Sequence, residues 1–146
     1  MGFNKELRPK VGIGVYIVKD GKLLMTLRKS SHAYGTWCPP GGHLEGGESF
    51  LECCQREVKE EVGLDVGSFE MLGVVNNIFS KEKHYVNVDF LAKNVTGEAI
   101  NGEPDKIGEI TWIDLDHLPS PLMLSVENLF KNYPEVLIKL KNNNSF

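Results

Sequence analysis

The chain has few cysteines, and their spacing does not favour disulfides. Cys38, Cys53 and Cys54 are an odd set, and neighbours on a helix project about 100° apart, which is unsuited to a bridge between the adjacent pair. No C-x-x-C pair or spaced Cys/His set indicates a zinc site. Three thiols without a disulfide framework favour a reducing compartment, so we expect a cytoplasmic protein.

Long apolar runs and an excess of positive charge are also missing. No segment approaches the length of a transmembrane helix, and residues 1–10 lack the apolar core of a signal peptide. The net charge of −4 provides no basic surface for a nucleic-acid polymer. An anionic small molecule remains compatible with this charge, because a bound metal can reverse the local sign. We therefore expect neither a membrane nor a nucleic-acid polymer as partner.

The length and composition are those of one globular domain spanning residues 1–146. The chain is 41% hydrophobic and 25% charged, and 146 residues are too few for two ordinary domains. Alternating strands and helices predict an α/β fold with a mixed sheet covered by helices. The polar residues 139–146 are expected to fray. Strands are predicted over residues 10–18, 23–28, 69–79, 84–95 and 110–113, and helices over residues 49–62 and after Pro121. Asp20-Gly21 predicts a hairpin turn between the first two strands, and residues 96–109 are predicted to form a polar loop.

The helix at 49–62 has clear start and stop signals. Ser49 with Glu52 three residues later forms a capping-box signature. Gly63 stands where a left-handed residue ends a helix. Before the helix, the Pro-Pro-Gly-Gly run at 39–42 predicts a fixed irregular turn. Helical spacing places one apolar stripe toward the core, formed by Leu51, Cys54, Val58 and Val62.

Three carboxylates lie beside that stripe. Glu57, Glu60 and Glu61 fall within roughly a 100° arc, because they stand three and four residues apart. Such like charges become mutually favourable when hard cations such as Mg²⁺ or Mn²⁺ lie between them. An ordinary solvated helix face is the alternative, but it needs neither the preceding turn nor Glu48 and Arg56. The rigid fork of Arg56 can orient a carboxylate.

These positions together resemble a known motif. Gly42, Glu48, Arg56-Glu57, Glu60-Glu61 and Gly63-Leu64 are similar to the complete Nudix box, here residues 42–64. The resemblance implies an α/β/α sandwich with a central mixed sheet. It also implies hydrolysis of nucleoside diphosphates linked to another moiety, with Mg²⁺ or Mn²⁺ as cofactor. A homodimer is a further implication.

The resemblance also assigns roles. It implies metal binding by Glu57, Glu60, Glu61 and the carbonyl of Gly41, a catalytic role for Glu60, and support from Arg56 and Glu48. The general base is left open, because a helix glutamate or an acid on a later loop can fill that role. The loop candidates are Glu103, Asp105 and Glu109, and each has the alternative of being a solvated loop charge.

The substrate class is approached by exclusion within the family. The proline typical of ADP-ribose pyrophosphatases is missing near residues 79–81, and positions 80–83 lack the tyrosine of dinucleoside polyphosphate hydrolases. Residues 74–88 and 103–119 resemble MutT-type pyrophosphatases of (deoxy)nucleoside triphosphates, including oxidised purine forms. A nucleotide sugar or dinucleotide as substrate is the enzymatic alternative. A non-catalytic nucleotide-binding module is the alternative of another class.

A nucleotide base would need aromatic faces beside a few polar groups. Four residues flanking the box are candidates for this contact: Trp37, Phe79, His84 and Tyr85. Each has a simpler alternative, since a strand aromatic often packs in the core and a histidine at a strand start is often a surface residue.

Overall fold

The computed structural model describes residues 2–146, in which strands and helices alternate as the sequence predicts. The strands are β1 Lys10–Tyr16, β2 Val18–Lys19, β3 Lys22–Arg28, β4 Trp37–Cys38, β5 Gly41–His43, β6 Ser68–Ile78, β7 His84–Lys93 and β8 Ile107–Asp114. The helices are α1 Phe50–Val62, α2 Leu124–Asn132 and α3 Glu135–Lys141.

The strands form two sheets. One sheet has the order β5-β1-β7-β6, in which β1 and β7 are parallel and the outer pairs are antiparallel. In the other sheet β3 pairs with β2, β4 and β8, all antiparallel. A tight turn joins β2 to β3, where Asp20 and Gly21 both have positive φ, as the Asp-Gly pair predicts.

Two hydrophobic cores lie on opposite sides of the strands. Alternation along β1 sends Ile13 and Val15 to the core beneath α1, whereas Tyr16 enters the core shared with α2 and α3. On β7, Phe90 and Leu91 divide in the same way. The result is helix, mixed sheet and helix in layers, which confirms the predicted α/β/α sandwich.

Helix α1 begins and ends as its sequence signals predict. The Ser49 hydroxyl accepts a hydrogen bond from the Glu52 backbone, and the Glu52 carboxylate accepts one from the Ser49 backbone. Such a cap stabilises a helix by about 1 kcal/mol. Gly63 has φ 73°, the left-handed conformation expected at the helix end. The buried residues of the helix are Cys53, Cys54, Val58 and Val62, and Leu51 is half-buried.

Three local expectations were wrong. Gly41 and Gly42 belong to β5 rather than to an irregular turn, because they pair with β1. The polar stretch before residue 110 already contains the start of β8. The end of the chain does not fray: α3 extends to Lys141, and Ser145 is buried.

Ser145 connects the two sheets. Its hydroxyl accepts a hydrogen bond from the Val18 N–H at 2.9 Å, and its own N–H donates to the Val18 carbonyl at 2.7 Å. Its carbonyl accepts from the Val95 N–H at 2.8 Å. Val18 belongs to β2 of one sheet, and Val95 follows the end of β7 in the other sheet. The bonds to both residues therefore hold the polar tail in place.

Among residues 2–146, no helix combines the length and the apolar character that crossing a lipid bilayer would require.

Candidate active site

Arg56 organises the exposed side of α1. Its guanidinium donates to both oxygens of Glu48, at 2.6 and 2.9 Å, and to Glu57 Oε1 at 2.6 Å. The same group donates to the His43 carbonyl at 3.1 Å. The hydrogen bonds from Arg56 lower the pKa of Glu48 to about 2. Arg56 therefore fixes Glu57 to the loop before the helix, the orienting role that the sequence predicts for Arg56 and Glu48.

Glu57 fills the space above Gly42. A Cβ on Gly42 would overlap the Glu57 carboxyl group, so this strand position must be glycine if Glu57 is to keep its place. Burial raises the pKa of Glu57, although the bond from Arg56 opposes this shift. Glu57 is thus a partly desolvated acid directed at the strand edge.

Glu61 is the most buried of the three helix acids. Its Oε1 accepts a hydrogen bond from the Gly41 N–H at 2.8 Å. Burial raises the pKa of Glu61 to about 8, with further increases from the nearby charges of Glu57 and Glu103. An acid in this environment is stabilised in its charged form by a nearby cation. The structure thus places the Gly41 N–H at Glu61, whereas metal binding by the Gly41 carbonyl stays a prediction.

The third acid, Glu60, is half-exposed, and its Oε2 lies 3.6 Å from Arg56 Nη1. Within residues 2–146, no three acidic, histidine or cysteine side chains converge closely enough to form a ready-made metal cluster. Arg56 and Gly41 instead occupy one oxygen of Glu57 and one of Glu61. The donor chemistry nevertheless fits a hard divalent cation, because three carboxylates line the same partly desolvated region.

These acids border a cleft of about 400 Å³ between the two sheets. The 101–107 loop closes one side and is supported by the Gly102 N–H, which donates to the Glu61 carbonyl at 2.9 Å. Of the three loop acids, Glu103 lines the cleft, whereas Asp105 and Glu109 are exposed and lie outside its lining. Two cations, Arg28 and Lys106, also border the cleft.

Aromatic side chains form the mouth of the cleft. Phe79 and Tyr85 line it, with ring centroids 5.8 Å apart. The sequence did not reveal His32, whose ring lies 4.7 Å from Phe79 and 5.6 Å from Tyr85. His43 completes the group, with its Nε2 3.2 Å from the Tyr85 hydroxyl. His32 lies in a loop and His43 ends the short strand β5, so neither belongs to a periodic pattern and only the fold brings them together.

The two other predicted contacts lie elsewhere. Trp37 packs against the core beneath α2, and it is absent from the lining of the cleft. His84 also lies outside that lining, with its Nε2 close to the Asn76 side chain. The simpler alternatives, core packing and a surface position, describe these residues better.

The inner end of the cleft contains polar groups that the sequence analysis did not identify. Asn87 and Asp89 project from β7 on the same face as Tyr85, because residues alternate along a strand. They lie over Gly12 and Gly14 of β1, to which they are paired. Gly14 also pairs with Gly41 on its other side, so one ladder of strand residues connects Asp89 to the acidic helix.

Comparisons with known proteins agree with this arrangement. The family model described as NUDIX domain matches residues 8–133, most of the chain. An ADP-ribose pyrophosphatase from Methanocaldococcus jannaschii is 34% identical over 128 residues, covering 87% of this chain and 74% of that protein. An oxidized purine nucleoside triphosphate hydrolase from Danio rerio is 30% identical over 126 residues, covering 86% of this chain and 78% of that protein.

A solved structure supports the same relationship. The MutT NUDIX hydrolase from Burkholderia pseudomallei is 34% identical, with a TM-score of 0.80, and covers 85% of this chain and 97% of that one. The family model, the relatives and the shared fold therefore point to the same family as the motif on the acidic helix. The chain belongs to the Nudix family of hydrolases, which act on pyrophosphate bonds.

Proposed function

We propose that this chain is a metal-dependent pyrophosphatase of (deoxy)nucleoside triphosphates, including oxidised purine forms, which releases the monophosphate and pyrophosphate. One observation carries the proposal: the three helix acids and the aromatic pair Phe79 and Tyr85 line the same cleft. Acids that can bind a cation and aromatic faces that can stack on a base therefore share one cleft.

Glu57, Glu60 and Glu61 are the residues that would bind the metal, and Mg²⁺ fits their hard oxygen donors, with Mn²⁺ as an alternative. When bound, the ion supplies positive charge that neutralises the oxygens of the pyrophosphate group. Arg56 holds Glu57 in place, and Glu48 holds Arg56. Arg28 and Lys106 add positive charge on the walls of the cleft.

Glu103 is the loop acid placed to accept a proton from the attacking water. It lines the cleft and is close enough to raise the pKa of both Glu57 and Glu61 by its charge. A group in this position can remove the proton while water attacks phosphorus. The remaining candidate is Glu60, the half-exposed acid of the helix.

ADP-ribose is the second candidate substrate. The name of the Methanocaldococcus jannaschii relative favours it, whereas the missing proline near residues 79–81 speaks against it. Nucleotide sugars and dinucleotides belong to the same alternative. A non-catalytic binding module is the least favoured, since all three helix acids are present.

The experiment is a panel of normal and oxidised nucleoside triphosphates, ADP-ribose, a nucleotide sugar and a dinucleotide, each incubated with the purified chain and Mg²⁺. We expect the highest specificity constant for a triphosphate, with pyrophosphate as product. Glu60→Gln should abolish turnover without lowering the melting temperature, and Glu52→Gln on the same helix is the control. Background turnover of all triphosphates would contradict the proposal.

The homodimer, the cytoplasmic location and the choice of Mg²⁺ over Mn²⁺ remain predictions. Light scattering after size-exclusion chromatography tests the first, and turnover with each metal tests the last.

A further inference from the structure

Asp89 is a buried acid with an unused oxygen. Its side chain is 1% exposed, and its Oδ1 accepts a hydrogen bond from Asn87 Nδ2 at 2.9 Å. Its Oδ2 has no hydrogen-bond partner among the described residues. Burying a carboxyl oxygen without a partner is unfavourable, so a native protein that does so usually has a ligand for it.

Asp89 stands at the wall of the cleft rather than in a sealed core. Asp89 lines the cleft together with Asn87, Thr26 and Ser125. Gly14 has no side chain, and a Cβ there would overlap Asp89 Oδ1. A Cβ at Gly12 would overlap the Asn87 amide in the same way. Both polar side chains therefore lie across β1 only because that strand carries two glycines.

The position along β7 fits a stacked base. Tyr85, Asn87 and Asp89 follow each other on one face, and each step of two residues advances about 7 Å. Asp89 stands two such steps, roughly 13–14 Å, from Tyr85, so a purine held between the aromatic pair and Asn87 would direct its inner edge at Asp89. Asn87 Nδ2 directs one of its two hydrogens at Asp89 Oδ1, and Asp89 Oδ2 is left as a free acceptor at this end.

We propose that Asp89, positioned by Asn87, determines substrate specificity by accepting hydrogen bonds from adjacent N–H donors on a purine edge, as N1–H and N2–H of guanine present them. The inference rests on the proposed function and names the base that the site prefers. Oxidation at the five-membered ring leaves this edge unchanged, so Asp89 recognises normal and oxidised guanine alike. Burial raises the pKa of Asp89 to about 7, and N–H donors on the base would stabilise its charged form.

The test compares guanine, hypoxanthine and adenine triphosphates, because hypoxanthine keeps N1–H but lacks the exocyclic amine. We expect the specificity constant to decrease in that order. Asp89→Asn should lower the constant for guanine by roughly 10- to 100-fold and leave that for adenine within about threefold. Asp65→Asn, which changes an exposed acid far from the cleft, is the matched control and should behave as wild type.

A second variant separates specificity from folding. Asp89→Leu removes the unpartnered carboxyl, so it should lose the guanine preference while its melting temperature at pH 8 stays equal or rises. A residue with only a structural role would show the reverse pattern: a lower melting temperature and an unchanged ratio between the bases. Equal specificity constants for guanine and adenine in the wild type would also overturn the proposal.

Binding of the monophosphates without metal keeps this inference distinct from the proposed function. Calorimetry should show GMP binding about tenfold or more tightly than AMP, with the difference lost in Asp89→Asn. If no triphosphate is hydrolysed but this difference is present, the proposed function fails and the role of Asp89 stands. If triphosphates are hydrolysed but GMP and AMP bind equally, the role of Asp89 fails alone.

Discussion

The carboxyl group of Glu57 lies over the backbone of Gly42, in the volume that a side chain at residue 42 would occupy. The strand β5 and the helix α1 therefore pack closely at the position of this acid. Arg56 holds that acid from the other side, with Nη1 2.6 Å from Glu57 Oε1. The position of Glu57 thus depends on the absence of a side chain at Gly42 as much as on the hydrogen bond from Arg56.

Replacing Gly42 by alanine should displace Glu57. We expect turnover to fall by about 100-fold, while the free energy of unfolding falls by only about 1–3 kcal/mol, the usual cost of overpacking. The control is Gly46→Ala, at a glycine with open space around it. Turnover with Mg²⁺ and urea unfolding measure the two effects, and a fully active Gly42→Ala enzyme would contradict the assignment of Glu57.

Mg²⁺ binding should strengthen as the pH rises from about 6 to 8. Burial raises the pKa of Glu61 to about 8, so the acid is protonated at the lower pH and must lose its proton to bind a cation. We expect affinity to increase by up to about tenfold per pH unit. Calorimetric titration measures it, with Glu61→Gln as the comparison. Affinity independent of pH in the wild type would argue against Glu61 as a ligand.

Glu103 and Asp105 allow a controlled test of which acid is the general base. Glu103 lines the cleft and Asp105 is exposed two residues away. Glu103→Gln should lower kcat by roughly 10²- to 10⁴-fold with little change in KM, the usual range for losing a proton acceptor. Asp105→Asn should remain active. Wild-type kcat in Glu103→Gln would return the role to a helix glutamate.

Asp89 should make the folded state less stable at higher pH. Burial raises its pKa to about 7, whereas an unfolded aspartate has a pKa near 3.9. The folded state therefore holds a proton that the unfolded state releases, and stability decreases between about pH 4 and pH 7 by on the order of 4 kcal/mol. Asp89→Asn should flatten this part of the profile. Urea unfolding at several pH values measures the free energy of unfolding of both proteins. If it changes with pH in the same way in the wild type and in Asp89→Asn, the prediction is refuted.

Local patterns in the sequence predicted the elements that depend on local physics. The Asp20-Gly21 turn, the Ser49 cap and the left-handed Gly63 all occur where expected. The apolar stripe of α1 also faces the core, because helical spacing alone determines that side. The three helix acids that we expect to bind metal line one cleft, and their metal binding stays a prediction.

What the sequence did not reveal depends on contacts between distant residues. Asn87 and Asp89 alternate with apolar residues, a pattern typical of a solvated strand face. The second sheet covers that face and turns it into the floor of a cleft, which no pattern within β7 could indicate. The sequence signal that could have indicated this is the pair of glycines, Gly12 and Gly14, which lie opposite Asn87 and Asp89. Ser145 was missed for a similar reason, since its partners Val18 and Val95 are far away in sequence.

The ladder that runs from Gly41 through Gly14 to Asp89 has a consequence for the size of acceptable substrates. Its two steps span roughly 10 Å, and paired backbones cannot stretch as a flexible loop can. The distance between the helix acids and the Asp89 carboxyl is therefore fixed by the paired strands. If the reactive phosphorus of a molecule lies too close to its base, or too far from it, the molecule can contact the helix acids or Asp89 but not both at once.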